Sequence, residues 1–198
     1  MQKHSISSVI LLSALVCQLQ ASTIVPTTLK ELSEKAQQIA IGRIDRITSY
    51  KDPTTGMIRS RIDMTPTRSL TGSPAASFSF DMAGGVFEGV GQAIAGFPVL
   101  HTGDHVVLFL AGDTTTPFGP TVGLWQGVFF VETDRATGAQ TLANHRRQPI
   151  AEIRGENLVL NQRAATGLAL QPNAPKLTLD SFLDQVRVWR PIPTSTTR

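Results

Sequence analysis

Two histidines four residues apart, His101 and His105 in HTGDH, are the side chains whose spacing first suggests chemistry. On a helix, such an i, i+4 pair turns two imidazoles to one face, where they can hold zinc. Here Gly103-Asp104 reads as a turn and HVVLFL as the strand leaving it. Four residues of strand span about 13 Å, too far for one ion, and the glutamate of an HExxH motif is missing. Only a tight turn could bring His101 and His105 together as metal ligands; otherwise they are turn and strand-edge residues. His145, with Glu132 and Asp134 near in sequence, could be assembled by folding into a hydrolytic triad. No serine sits in a GxSxG elbow, Ser73 of TGSPA included. A hydrolase here would be histidine-dependent and of an unfamiliar type. Asp180 and Asp184 share one face of an expected helix, where solvated carboxylates are the simpler reading.

The stretch AGGVFEGVGQAIAGFP, residues 83 to 98, raises a second chemistry, phosphate binding. Gly89-Val90-Gly91 opens like a dinucleotide fingerprint, but Ile94 takes the third small position and no helix pattern follows. Gly91 to Gly96 has the spacing of a phosphate loop, with Phe97 and Pro98 where lysine and serine or threonine must stand. No cofactor is expected. What remains is partner binding: a mobile loop carrying Gly84, Gly85, Gly89 and Gly91, followed by QAIAG as a short strand ending at a Phe97-Pro98 turn. Held at the rim of a β-domain, such a loop could contact a partner. Trp125, close to Phe129 and Phe130, is either core or the lining of a binding groove.

These groups need a scaffold, and the chain describes one. Residues 1 to 21 pair a basic start (Lys3, His4) with an apolar run from Val9 to Val16 and end at Ala21, the pattern of a secretory signal peptide. The run is too short for roughly 30 Å of hydrocarbon. No later segment is long enough to span a membrane, so an exported protein, periplasmic or secreted, is expected. Cys17, the one cysteine, follows Val16 where a lipobox wants a small residue, and it leaves with the signal. The mature chain then carries no disulfide or thiol nucleophile. Loss of Lys3 lowers the formal net charge from +3 to +2. That charge is dispersed, and His145-Arg146-Arg147 is its densest basic spot, so nucleic acid is not expected as a partner.

Residues 22 to 190 read as one domain, with 191 to 198 a fraying tail. Thr28 and Glu31 form a capping box at the start of LKELSEKA, so a short N-terminal helix is expected. IAIGRIDRITSY is β-branched, with Gly42 marking a bulge. MIRSRIDMTPTRSL alternates Ile58, Ser60, Ile62 and Met64 against Arg59, Arg61 and Asp63, with Pro66 confined to an edge or end. Residues 39 to 68 thus form a long hairpin. Further strands are SFSFDM, HVVLFLAG, LWQGVFFVETD, GAQTLAN, PIAEIR and NLVLNQ, with residues 163 to 176 a surface loop. A C-terminal helix is expected over 178 to 190. Short strands with frequent turns and helices only near the ends predict a mostly-β fold: an OB-like closed barrel, or a small β-sandwich.

In order, LKELSEKA, IAIGRIDRITSY, TRSLTG, the Gly-Gly segment, GFPVLHTGDHVVLFL and GVFFV resemble a group of uncharacterised exported bacterial proteins. Some of these are linked to matrixin-like metalloproteases. The helix–strand–strand start is also similar to the netrin-like, OB-type barrel of tissue inhibitors of metalloproteinases. The inhibitors' N-terminal cysteine has no counterpart near Ser22-Thr23, so no inhibitory residue is carried over. The resemblance implies an accessory module, protease-associated. Together with the residues, the expectation is a non-catalytic binding module whose partner is a protein or an envelope glycan. The alternatives are the histidine-dependent hydrolase and a structural envelope component.

Overall fold

In a computed structural model the chain is described over residues 25–70, 77–112, 117–135, 137–161 and 174–190. The segment expected as a signal, Cys17, Ser73, most of the 163–176 loop and the 191–198 tail lie outside the described residues. The elements run α1 (Leu29–Lys35), β1 (Gln38–Lys51), β2 (Ile58–Ser69), β3 (Phe78–Ala83), β4 (Gly85–Phe87), β5 (Val90–Gln92), β6 (His105–Leu110), β7 (Val128–Thr133), β8 (Gln140–Ala143), β9 (Ile150–Arg154), β10 (Asn157–Leu160) and α2 (Leu179–Trp189). Six strands form one antiparallel sheet in the order β3-β2-β1-β6-β7-β8, and β4-β5 and β9-β10 are separate hairpins.

The fold is mostly β with a helix near each end, as the sequence predicts. The closed barrel is not formed. β3 and β8 stand at opposite edges of the sheet and do not pair with each other. The smaller-sandwich alternative fits instead, because both faces of this open sheet are covered.

Alternation along the strands divides the core in two. Ile39, Ile41, Val107, Phe109, Phe129, Val131 and Leu142 face the two helices. Ala40, Ile44, Ile62, Met64, Phe80, Met82, Leu108 and Phe130 face the other way, against Phe97 and Leu100. A strand buried on both faces needs no polar positions, which is why HVVLFL is apolar throughout after its histidine. On the helix side, Phe109, Phe129 and Phe182 form an aromatic triangle with ring centroids 5.3 to 6.1 Å apart.

The long hairpin bends at two register shifts, between Ile41 and Gly42 and between Ile44 and Arg46. The first is the bulge expected at Gly42. Pro66 pairs with Gly42 at this register shift, beyond the last β3 partner of β2 at Met64, so its missing N–H interrupts no β2–β3 pairing.

Both caps are present. Thr28 Oγ1 accepts from the Glu31 N–H and Glu31 Oε2 from the Thr28 N–H. At α2, Thr178 Oγ1 accepts from the Ser181 N–H. Arg190 then ties the helices together, donating to the Ser33 and Gln37 carbonyls at 3.1 Å each. Thr28→Ala removes the Oγ1 half of the box and is expected to cost about 1 kcal/mol, read as a lower urea midpoint at unchanged slope.

Candidate functional site

The glycine-rich stretch becomes a hairpin rather than a loop. β4 and β5 are joined by the two-residue turn Glu88-Gly89, with φ of 49° and 77°. Positive φ at both central residues is what a tight hairpin turn with right-handed strand twist requires. QAIAG is not a strand, for only Val90–Gln92 pairs and the chain then runs irregularly to residue 104.

Three contacts seat this hairpin on the end of β2. The Gly84 N–H donates to the Ile58 carbonyl at 2.8 Å. The Ile58 N–H donates to Gln92 Oε1 at 2.8 Å. Ser60 Oγ donates to the Gly84 carbonyl at 2.8 Å and lies 3.0 Å from Ser49 Oγ. The backbone at Gly85 lies so close that a Cβ there would come within 2.4 Å of Ser60 Oγ and 2.5 Å of Ser49 Oγ.

Beyond the hairpin, residues 93 to 100 cross the same face of the sheet and leave a groove of about 460 Å³ between them. Ile47, Ile62, Met82, Ile94, Phe97 and Leu100 give it an apolar lining. Its wall is fixed at Gly96, whose φ of +87° lets the chain pass flat over the Trp125 ring, where a Cβ would lie 2.6 Å from Cζ2. Phe97 packs edge-on against Trp125 at 5.4 Å and against Phe118 at 6.0 Å. Within its lining, Val86 and Val99 are 67% and 69% exposed. These are two of the six exposed large apolar side chains among the described residues.

Of the residues singled out from sequence, Gly84, Gly85 and Gly91 line this groove, and Gly89 forms the hairpin tip. Trp125 stands behind the Gly96-Phe97 wall and supports it. The aliphatic lining escaped sequence reasoning for a simple reason. Alternation marks Ile62 and Met82 as inward-facing core residues, but not that a groove runs against them.

The histidines take three separate environments. His101 is exposed at a turn, with Nδ1 3.7 Å from Asp104 Oδ2 and 3.4 Å from Arg147 Nη2. His105 opens β6 opposite Arg43, with both ring nitrogens buried and unbonded. Burial first, then the Arg43 and Arg68 charges, hold its pKa below the usual value. His145 lies 6.2 Å from the Trp125 ring, and its buried Nε2 is also unbonded. Among the described residues, no group of three or more His, Cys, Asp or Glu is placed to hold a metal ion.

Burial, with the Arg146 charge as a lesser cause, pushes the His145 pKa down from 6.5 to about 4. Below pH 6.5 the unfolded chain therefore takes up a proton that the folded one refuses. Stability is expected to be flat above that pH and to fall between about 6.5 and about 4. Discounting for solvent screening of a partly exposed ring, the loss is on the order of 1–2 kcal/mol. Urea unfolding across this range should show it, and His145→Asn should shrink the slope, leaving the part due to His105.

No family model, curated protein or solved structure matches this chain.

Proposed function

We propose that the protein is an exported, non-catalytic binding module, and that the groove between the β1-β2-β3 face and residues 83 to 100 takes an apolar ligand. The observation that carries this reading is an apolar-lined groove whose own wall includes two strongly exposed valines, Val86 and Val99. Exposed apolar area collected in one place marks a binding surface, whereas the same side chains scattered would mark nothing. Volumes of this size are typical of small-molecule sites.

An envelope glycan fits less well. Sugars need a spread of donors and acceptors, and Ser60 and Gln92 are already bonded to the Gly84 and Ile58 backbone. A partner protein presenting an apolar side chain, such as the metalloprotease association implied by the resemblance, is the competing occupant. The free ligand is favoured because the groove is shaped by its own walls and needs no partner to complete it.

Gly91→Phe is the variant that tests the site. Its backbone is not in the left-handed region, and a Cβ there meets only Val86 Cγ2 at 4.0 Å, so a side chain can be added without strain. Calorimetry with octanol and decanol is expected to show one-to-one binding, strengthening roughly three- to fourfold per added methylene. Gly91→Phe should weaken decanol at least tenfold while leaving the unfolding midpoint nearly unchanged. Absence of binding by any alkyl compound to the wild-type chain would favour the partner protein and overturn the reading.

A further inference from the structure

The groove is not electrically uniform along its length. Beside the end lined by Val99 and Leu100, the Arg147 guanidinium sits over the Phe130 ring, its Cζ 3.7 Å from the ring centre. Phe130 belongs to the same face of the core as Ile62 and Met82, so this guanidinium is on the groove side of the sheet. Its described bonds all run through Nη2: to Asp104 Oδ2 at 2.7 Å, to the Val99 carbonyl at 3.5 Å and to His101 Nδ1 at 3.4 Å. The side chain remains 41% exposed, while Asp104 is only 15% exposed.

The surroundings add positive charge. Arg146 precedes Arg147, and Arg43 reaches the same turn, donating to the Gly103 carbonyl at 3.1 Å. Asp104 faces them, and its Oδ2 already accepts from Arg147 and from the His101 N–H. The next carboxylate along β1, Asp45, accepts from Thr65 Oγ1. Arg147 therefore stands beside one committed carboxylate where the apolar lining ends.

We propose that the ligand is a long-chain carboxylate, with its alkyl chain along Ile62, Ile94 and Phe97 and its carboxylate at the Nη1 edge of Arg147. This rests on the groove being the binding site and adds the class of ligand. A guanidinium fork held flat by an aromatic ring is suited to a planar carboxylate, and Arg–carboxylate bonds are about twice as strong as neutral ones. A long-chain alcohol would gain the same burial and none of that. An alkylammonium would meet repulsion.

The test compares decanoate, decanol and decyltrimethylammonium by calorimetry on the full mature chain at pH 8, below micellar concentrations. Decanoate is expected to bind about tenfold tighter than decanol, and the ammonium more weakly than either. The decanoate preference should shrink in 0.5 M salt as exposed charges are screened. Arg147→Gln should abolish the preference while keeping decanol binding. Equal binding of the three compounds, or tighter binding of the ammonium, overturns the carboxylate assignment and leaves the groove standing. Failure of all three overturns both. The wild-type series decides the matter even if Arg147→Gln does not fold.

Discussion

Gly42→Ala is expected to lower stability by about 3–5 kcal/mol, seen as a large drop in the urea midpoint. Nothing about its backbone angle demands glycine, since its φ is not in the left-handed range. The cost comes from space. An alanine Cβ would lie 2.2 Å from the Thr65 carbonyl oxygen and 2.7 Å from the Pro66 Cα. Both are backbone atoms of the paired strand, so no side-chain rotation relieves the clash. β1 and β2 must part at their first register shift, which is also where β1 pairs with β6. Gly91→Ala is the matched control, with its new methyl group 4.0 Å from Val86 Cγ2, and should change stability by no more than about 0.5 kcal/mol.

Phe182→Ala carries the second large effect, and its value lies in what it leaves alone. Phe182 is wholly buried and meets both Phe109 and Phe129 from α2. Truncating it removes a ring that the sheet cannot close over, because its neighbours belong to strands held by hydrogen bonds on both sides. A loss of about 3–5 kcal/mol is expected. The groove lies on the opposite face of the sheet, so decanol affinity at low temperature, where the variant is still folded, should match wild type within about twofold. A parallel loss of binding would mean that the two faces are not independent.

The positions of these two effects show what the sequence makes legible. The caps at Thr28 and Thr178, the Gly42 bulge, the long hairpin and the alternation of Ile58 to Met64 are local consequences of residue type and spacing, and all are present, except that Arg59, expected on the solvated face, is buried and donates to the Pro117 carbonyl. Closure of the sheet is a long-range property. Whether β3 meets β8 depends on how far two bulges coil the hairpin, and no local pattern encodes that angle. The glycine-rich stretch misleads for a related reason. Glu88-Gly89 is a good turn pair, but Glu88 in a left-handed conformation is not a residue that sequence rules nominate. The strand expected to begin at LWQG starts only at Val128, since Leu124 adopts a φ of 63° in the preceding turns. Trp125 was nominated for its chemistry, while Ile47, Ile62, Ile94 and Leu100, which line the groove, look in sequence like any other core residues.

The most direct measurement of the central claim is methyl NMR of the protein during a decanoate titration. Resonances of Ile47, Ile62, Met82 and Ile94 should shift progressively to saturation, while those of Leu29, Leu183 and Val186, on the helix-covered face, stay in place. Shifts centred on the helix face, or no shift at any of the groove methyls, would contradict the account.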